Sequence, residues 1–150
     1  MGQTLAYGPE SGAPRFFVWA TKDPNSGNLD RIQVIKGWIE DGKSQERIYN
    51  VALSDERVTA LDGSAPPVGN TVDVKQASYT NDIGDVQFSA PWEDPDFDSS
   101  TSAFYYVRVL EIPTPRWTTH VAVARDVEPP EGVPASLQER AYTSPIWYEP

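Results

Sequence analysis

The run Ala103-Phe-Tyr-Tyr-Val-Arg-Val-Leu-Glu111 decides the fold, because it is β-branched or aromatic at almost every position. Such side chains favour extended backbone, and apolar residues at consecutive positions are typical of a strand covered on both faces. The sequence therefore predicts a central strand here. Arg108 is a charge inside this apolar segment and needs a partner. We expect Glu111 or a residue of another domain to supply it, and a structural pair is favoured over a ligand contact.

Alternating apolar residues on the N-terminal side of this strand predict further strands. They are expected at 16–20, 32–39, 47–53, 71–80 and 85–92. Asp41-Gly42 lies between the second and third of these and is the strongest hairpin signal in the chain. The segment 54–70 is polar and ends in consecutive prolines, so we expect a long surface loop there.

Prolines dominate the chain beyond the central strand. Ile112-Pro-Thr-Pro-Arg-Trp117 predicts an extended corner, and the sequence around His120 is typical of a strand or loop. We expect a linker at 127–133, a turn or two of helix at 136–141 and a last strand at 143–148. About seven strands, long Pro-rich loops and little helix predict an all-β fold, an antiparallel β-sandwich forming a single domain over residues 1–150.

Composition excludes several classes of function. Lys and Arg number 12 against 22 Asp and Glu, a formal charge of −10, which opposes binding to nucleic acid and to anionic membranes. The absence of cysteine excludes disulfides and thiolate metal sites. No stretch approaches the roughly 20 apolar residues of a membrane span, and the N-terminus has no secretion signal. We therefore expect a soluble chain without a nucleic-acid or membrane partner.

Two patterns have only part of a metal or catalytic motif. The segment 94–98 places three Asp residues at alternate positions, as a calcium loop begins, but Ser99 and Tyr105 stand where that loop needs Gly and Glu. A solvated acidic turn is the favoured interpretation, and a weak calcium site is the alternative. His120 is the single histidine, so the chain cannot form a two-histidine metal centre. No G-x-S-x-G elbow accompanies it, and a surface role is favoured.

The five tryptophans indicate a possible sugar-binding platform, because an exposed indole can stack on a pyranose ring. Trp19, Trp38 and Trp147 lie within strand patterns and are expected in the core. Trp117 is the exception. It follows Arg116 in a corner held by two prolines, which is expected to hold both side chains rigidly.

Six segments resemble one bacterial family. They are Ala13-Pro-Arg-Phe-Phe-Val-Trp-Ala-Thr-Lys-Asp-Pro24, Gly27-Asn-Leu-Asp-Arg-Ile-Gln-Val-Ile-Lys-Gly-Trp38, Pro67-Val-Gly-Asn-Thr-Val-Asp-Val74, Ala77-Ser-Tyr-Thr-Asn81, 103–117 and Ser144-Pro-Ile-Trp-Tyr148. From about residue 6 to residue 150 the chain is similar to the C-terminal part of the domain of unknown function 3604 family (DUF3604). Its members are longer, often exported, and resemble metallohydrolases of the polymerase-and-histidinol-phosphatase (PHP) superfamily.

The resemblance implies that a catalytic domain and an accessory domain are separate parts of the parent protein. A PHP-like catalytic domain of the same parent protein would carry the divalent metal on His and Asp or Glu ligands, and would be the partner of this chain. We expect no catalytic residue, metal ligand or cofactor in the chain itself, which would be a non-catalytic accessory β domain packed on that hydrolase domain. Arg108, Arg116 and Trp117 are the candidate ligand-binding residues at its rim.

Two other functions stay open. A free-standing module that binds a glycan or another small ligand is indicated by Trp117 and by the acidic turn at 94–98. A structural module that forms a homo-oligomer is indicated by the aromatic content, because an isolated half-covered sandwich would leave aromatic side chains exposed.

Overall fold

The computed structural model describes residues 2–6 and 12–150 and contains, within them, eight strands and one helix. The strands are β1 (Thr4–Ala6), β2 (Arg15–Thr21), β3 (Leu29–Glu40), β4 (Lys43–Leu53), β5 (Gln87–Glu93), β6 (Ala103–Pro115), β7 (Ser136–Tyr142) and β8 (Ile146–Glu149). The helix is α1 (Trp117–Arg125).

Strand β6 is the centre of the larger sheet, as the sequence predicts. One edge of this thirteen-residue strand pairs antiparallel with β3. The other edge pairs with β8 over its first residues and with β7 further along. The strand order is β1-β8-β6-β3-β4, with β7 beside the far half of β6. The pairing of β1 with β8 is parallel, which departs from the antiparallel expectation.

A second, two-stranded sheet of β2 and β5 forms the other layer. We call the face of the large sheet beneath it the inner face, and the opposite one the outer face. Val18 and Phe88 of the small sheet pack on Leu29 and Ile32 of the inner face. The all-β, sandwich-like prediction is confirmed. No second sheet lies on the outer face in the described part of the chain, although every residue of β6 is buried or half-buried.

The hairpin at Asp41-Gly42 is confirmed. Glu40 and Lys43 are paired, so these two residues alone form the turn between β3 and β4. Both have positive φ, 50° at Asp41 and 74° at Gly42. Two such residues in sequence are what the common tight turn between antiparallel strands requires.

Buried Asp30 anchors the long surface loop that follows β4. Its Oδ1 accepts a 2.6 Å bond from Arg57, and its Oδ2 accepts bonds of 2.9 Å from Arg31 and 2.8 Å from Gln138. The expected strand at 71–80 is wrong. This segment is mainly turns around one isolated bridge between Asp73 and Ser78, because the Asp73 carboxylate accepts bonds from the two backbone N–H groups at 75 and 76.

The expected extended corner ends earlier than predicted. Residues 112–115 continue β6, and α1 begins at Trp117, so His120 lies on a helix and not in a strand or loop. Arg116 has extended backbone, and no side chain caps the helix. The buried residues of α1 are Thr119 and Ala122, three positions apart on one face of the helix. No described helix is long and apolar enough to cross a membrane.

The helix expected at 136–141 is also wrong, since these residues form β7. Leu, Gln, Glu, Arg and Ala are good helix formers, but tertiary context overrides helix propensity. The edge of β6 gives the backbone groups of this segment strand partners instead. Gln138 Nε2 also donates to the backbone oxygen of Glu111 at 2.8 Å.

Gly37 in β3 is a site of close approach on the outer face. A Cβ there would overlap Cζ of Phe104, its neighbour on β6. The ring of Phe104 therefore lies across the glycine, where any larger residue would displace it.

We predict that Gly37→Ala lowers the free energy of unfolding by about 1–3 kcal/mol, because the added methyl group must displace the ring. Urea unfolding measures the loss. Adding Phe104→Leu to Gly37→Ala should recover part of it, as a coupled pair requires. Additive losses would contradict the contact.

Candidate functional site

The structure places Arg108 on the outer face. Its Nε and Nη2 donate to Oε1 of Gln33 at 2.9 and 2.7 Å, and Gln33 in turn donates to Asn50 at 2.8 Å. The expected partner, Glu111, instead accepts a bond from the hydroxyl of Ser26. A side-chain amide, and not a carboxylate, therefore holds the Arg108 guanidinium.

Arg116 and Trp117 lie at the far end of β6, where the strand passes into α1. Trp117 is 67% exposed. Nε of Arg116 is buried and has no hydrogen-bond partner among the described residues. Eight residues of extended chain separate Arg116 from Arg108, roughly 25 Å at strand spacing. The structure thus keeps Arg116 and Trp117 together and places Arg108 elsewhere.

Arg108 borders a row of four aromatic rings on the outer face, which we call the aromatic row. It consists of Trp147, Phe104, Tyr106 and Tyr142, in that order. Successive ring centroids are 5.3, 6.3 and 6.2 Å apart. The row follows the edge of β6 that pairs with β8 and β7.

The two central rings of the row lie flat on the sheet. Phe104 lies across Gly37, and the plane of Tyr106 is within 10° of that of Phe104. Ile35, paired with Tyr106, is fully buried. Flat rings present their π-faces to a ligand or a partner surface, which is the arrangement that stacking requires.

The ends of the row are exposed. Trp147 is 48% and Tyr142 is 56% exposed, so the expectation that Trp147 is a core residue is wrong. Trp19 is exposed as well, on the small sheet, while Trp38 is half-buried beside the core.

Arg140, with Arg108, lowers the pKa of Tyr142, since a nearby guanidinium favours the phenolate. The site therefore joins apolar ring faces to a cationic rim.

The carboxylates of the acidic turn bond to groups within the chain. Asp94 bonds to Lys36 and Asp96 bonds to Arg47, while Asp98 accepts bonds from the backbone and hydroxyl groups that follow it. The described residues contain no group of three potential ligands placed to hold a metal ion. His120 is exposed on α1. The calcium alternative thus gains no support from the geometry.

Sequence analysis missed a buried ion pair at this turn. Nζ of Lys36 lies 2.6 Å from Oδ2 of Asp94, and the two side chains are 7% and 0% exposed. The hydroxyl of Tyr105 donates to the same oxygen at 2.7 Å. Burial, and then that bond to Asp94, raise the pKa of Tyr105. The signal in the sequence was a lysine on the inward face of β3, between Val34 and Trp38.

Lys36 lines a cavity of about 360 Å³, with Trp38 and Arg47 among its walls. Nζ of Lys36 also donates to the backbone oxygen of Asp96, whose carboxylate accepts from Tyr49. These bonds fix the turn on β3.

Comparison with known proteins gives a family and no function. The family model described as Protein of unknown function (DUF3604) matches residues 1–150. The chain belongs to this family. No curated protein and no solved structure matches it. The DUF3604 chain must therefore be interpreted from its own surfaces.

We predict that Lys36→Met lowers the free energy of unfolding by about 3–5 kcal/mol, because it leaves the Asp94 carboxylate buried and unpaired. The matched control is Arg15→Met, which breaks an exposed pair with Glu93 and should cost under about 1 kcal/mol. Chemical denaturation of both variants gives the comparison. Equal losses would mean that the buried pair does not stabilise the turn.

Proposed function

We propose that this chain is a non-catalytic accessory β domain that packs on a PHP-like, metal-dependent hydrolase domain of the same parent protein. The resemblance of DUF3604 members to that superfamily supports the hydrolase part of the proposal. The aromatic row is the observation that supports packing. On this proposal, a divalent metal in the catalytic domain would activate water, and the present chain would supply contacts.

The aromatic row is suited to a domain interface. Trp147 and Tyr142 expose about half of their surface, and Ile39 and Ile48 extend the apolar area on the same face of β3 and β4. Contiguous apolar surface of this kind marks interaction sites, and aromatic residues dominate their energetics. Arg108 lies beside the row with no carboxylate partner among the described residues, so an acidic group across the interface could pair with it.

Arg116 and Trp117 lie at one end of β6 and would contribute to the rim. An indole that is two-thirds exposed at the start of a helix can contact a neighbouring domain or its ligand. Nε of Arg116 is buried within the chain, so the exposed indole of Trp117 supplies most of this contact surface.

We predict that the isolated chain binds the separately produced upstream part of its parent protein, and that Trp147→Ala with Tyr142→Ala weakens binding about tenfold or more. Calorimetry measures the affinity. Val58→Ala is the control, an exposed apolar residue in the surface loop, and should leave binding unchanged. Metal-dependent hydrolysis by the chain alone, abolished by His120→Ala, would contradict the proposal.

A glycan-binding module is the second candidate, because the rings of Phe104 and Tyr106 lie flat and nearly parallel. Stacking of sugar rings on such faces should change the fluorescence of nearby Trp147. We predict a response to some member of a panel of soluble oligosaccharides that Tyr106→Ala abolishes and Trp117→Ala retains. No response across the panel would remove this candidate.

A further inference from the structure

The small sheet leaves part of the inner face uncovered. It has two strands against six in the large sheet, and β5 lies over β4 and β3. Beyond β2, the inner face continues along β6 and β8. A cavity of about 750 Å³ lies there, bounded by Phe16 and Val18 of β2 and by Val107 and Ile146 of the large sheet. We call this space the β2 groove.

The edge of β2 along the groove has unpaired backbone groups. The bonds from Lys22 N to Val86 O and from Asp94 N to Pro14 O bracket the pairing of β2 with β5. Hydrogen-bonded pairs alternate in an antiparallel ladder, so the even-numbered residues of β2 bond to β5. The N–H and C=O groups of Arg15, Phe17, Trp19 and Thr21 point to the open edge, where no described strand pairs with them.

Pro91 supports this assignment of the ladder. It lies opposite Phe17, at a position where β5 directs its backbone away from β2 and no N–H is needed. That proline also protects the other edge of the small sheet. Between Arg15 and Lys22 the open edge of β2 has no such protection, since residues 16–21 include neither a charge nor a proline. Soluble proteins seldom leave so apolar an edge uncovered.

The shape of the groove restricts what can cover this edge. Strands β6 and β8 extend beneath it, so a second copy that placed its own β2 here would bring its large sheet against this one. A single extended segment fits, because it needs space for one strand only. Backbone N–H and C=O groups in a row are matched by another backbone and by no small ligand.

We propose that an extended segment of the parent polypeptide, outside the present chain, pairs with the open edge of β2 as a third strand of the small sheet. This inference rests on the proposed function, which supplies the parent. Gly2 lines the same cavity, so polypeptide preceding β1 in a longer protein would emerge beside the groove. The segment is about seven residues long, the length of β2, with alternate apolar side chains directed into the groove.

Amide hydrogen exchange tests the pairing directly. In the isolated chain, the amides of Phe17 and Trp19 should exchange quickly, while those of Val18 and Ala20 are protected by β5. When the upstream part of the parent binds, exchange at Phe17 and Trp19 should slow about 100-fold or more, as expected for amides that enter a stable ladder. NMR resolves the individual amides. If binding occurs and these two amides stay fast, the inference is wrong although the proposed function stands.

Proline substitution gives a second, independent measurement. Phe17→Pro removes a donor at the open edge, and Phe17→Ala removes the same ring and keeps the donor. We expect Phe17→Pro to bind the upstream part at least tenfold more weakly than Phe17→Ala. Ser89→Pro on β5 is the matched control, since the N–H at residue 89 also points away from its partner strand. Circular dichroism checks that all three remain folded.

Two further results would overturn the inference. One is equal binding by Phe17→Pro and Phe17→Ala. The other is a dimer of the isolated chain, seen by sedimentation, that Phe17→Pro dissociates, since a second copy would then occupy the edge. Absence of any binding by the upstream part would instead reject the proposed function.

Discussion

Backbone pairing on both edges of β6 is the constraint on which the rest of the structure depends. One edge is taken by β3, and the other is divided between β8 and β7. A strand of thirteen residues thereby fixes the positions of Arg108, of the aromatic row and of Arg116 and Trp117. The distance of Arg108 from Arg116 and Trp117 is a consequence of the length of that strand.

The two layers differ in their number of strands, which explains why so much apolar surface stays accessible. Two strands cover the middle of the inner face and leave the groove beside β2, while no second sheet lies on the outer face among the described residues. Phe17 and Trp19 are 71% and 69% exposed on the small sheet, and the aromatic row lies on the outer face of the large sheet. Sandwiches are stable when both sheets bury their apolar faces. The unequal sheets therefore leave apolar surface accessible on both layers.

The sequence predicts the elements whose signal is local. Three local signals were sufficient: the alternation in β3, the β-branched and aromatic run of β6, and Asp41-Gly42 between two strands. The helix α1 was missed because its residues include β-branched Thr and Val and no capping side chain. Strand β7 was missed because it is specified by the edge of β6, a partner distant in sequence.

The same distinction applies to the candidate site. Exposure of Trp117 could be anticipated from its place after two prolines. The flat rings of the aromatic row could not, because they depend on the position of Gly37 opposite Phe104 across two strands. The partner of Lys36 was hidden for a similar reason, since Asp94 is 58 residues away in the chain.

The net charge of −10 bears on how such a surface avoids association. Repulsion between like-charged copies acts over roughly 10 Å at 0.1 M salt, whereas strand pairing and ring stacking need direct contact. On the proposed function, an acidic chain exposes apolar faces to a partner domain of the same polypeptide, while repulsion keeps copies of the chain apart. Covalent linkage raises the effective concentration of that partner. The acidic composition and the uncovered faces are thus compatible properties of one module.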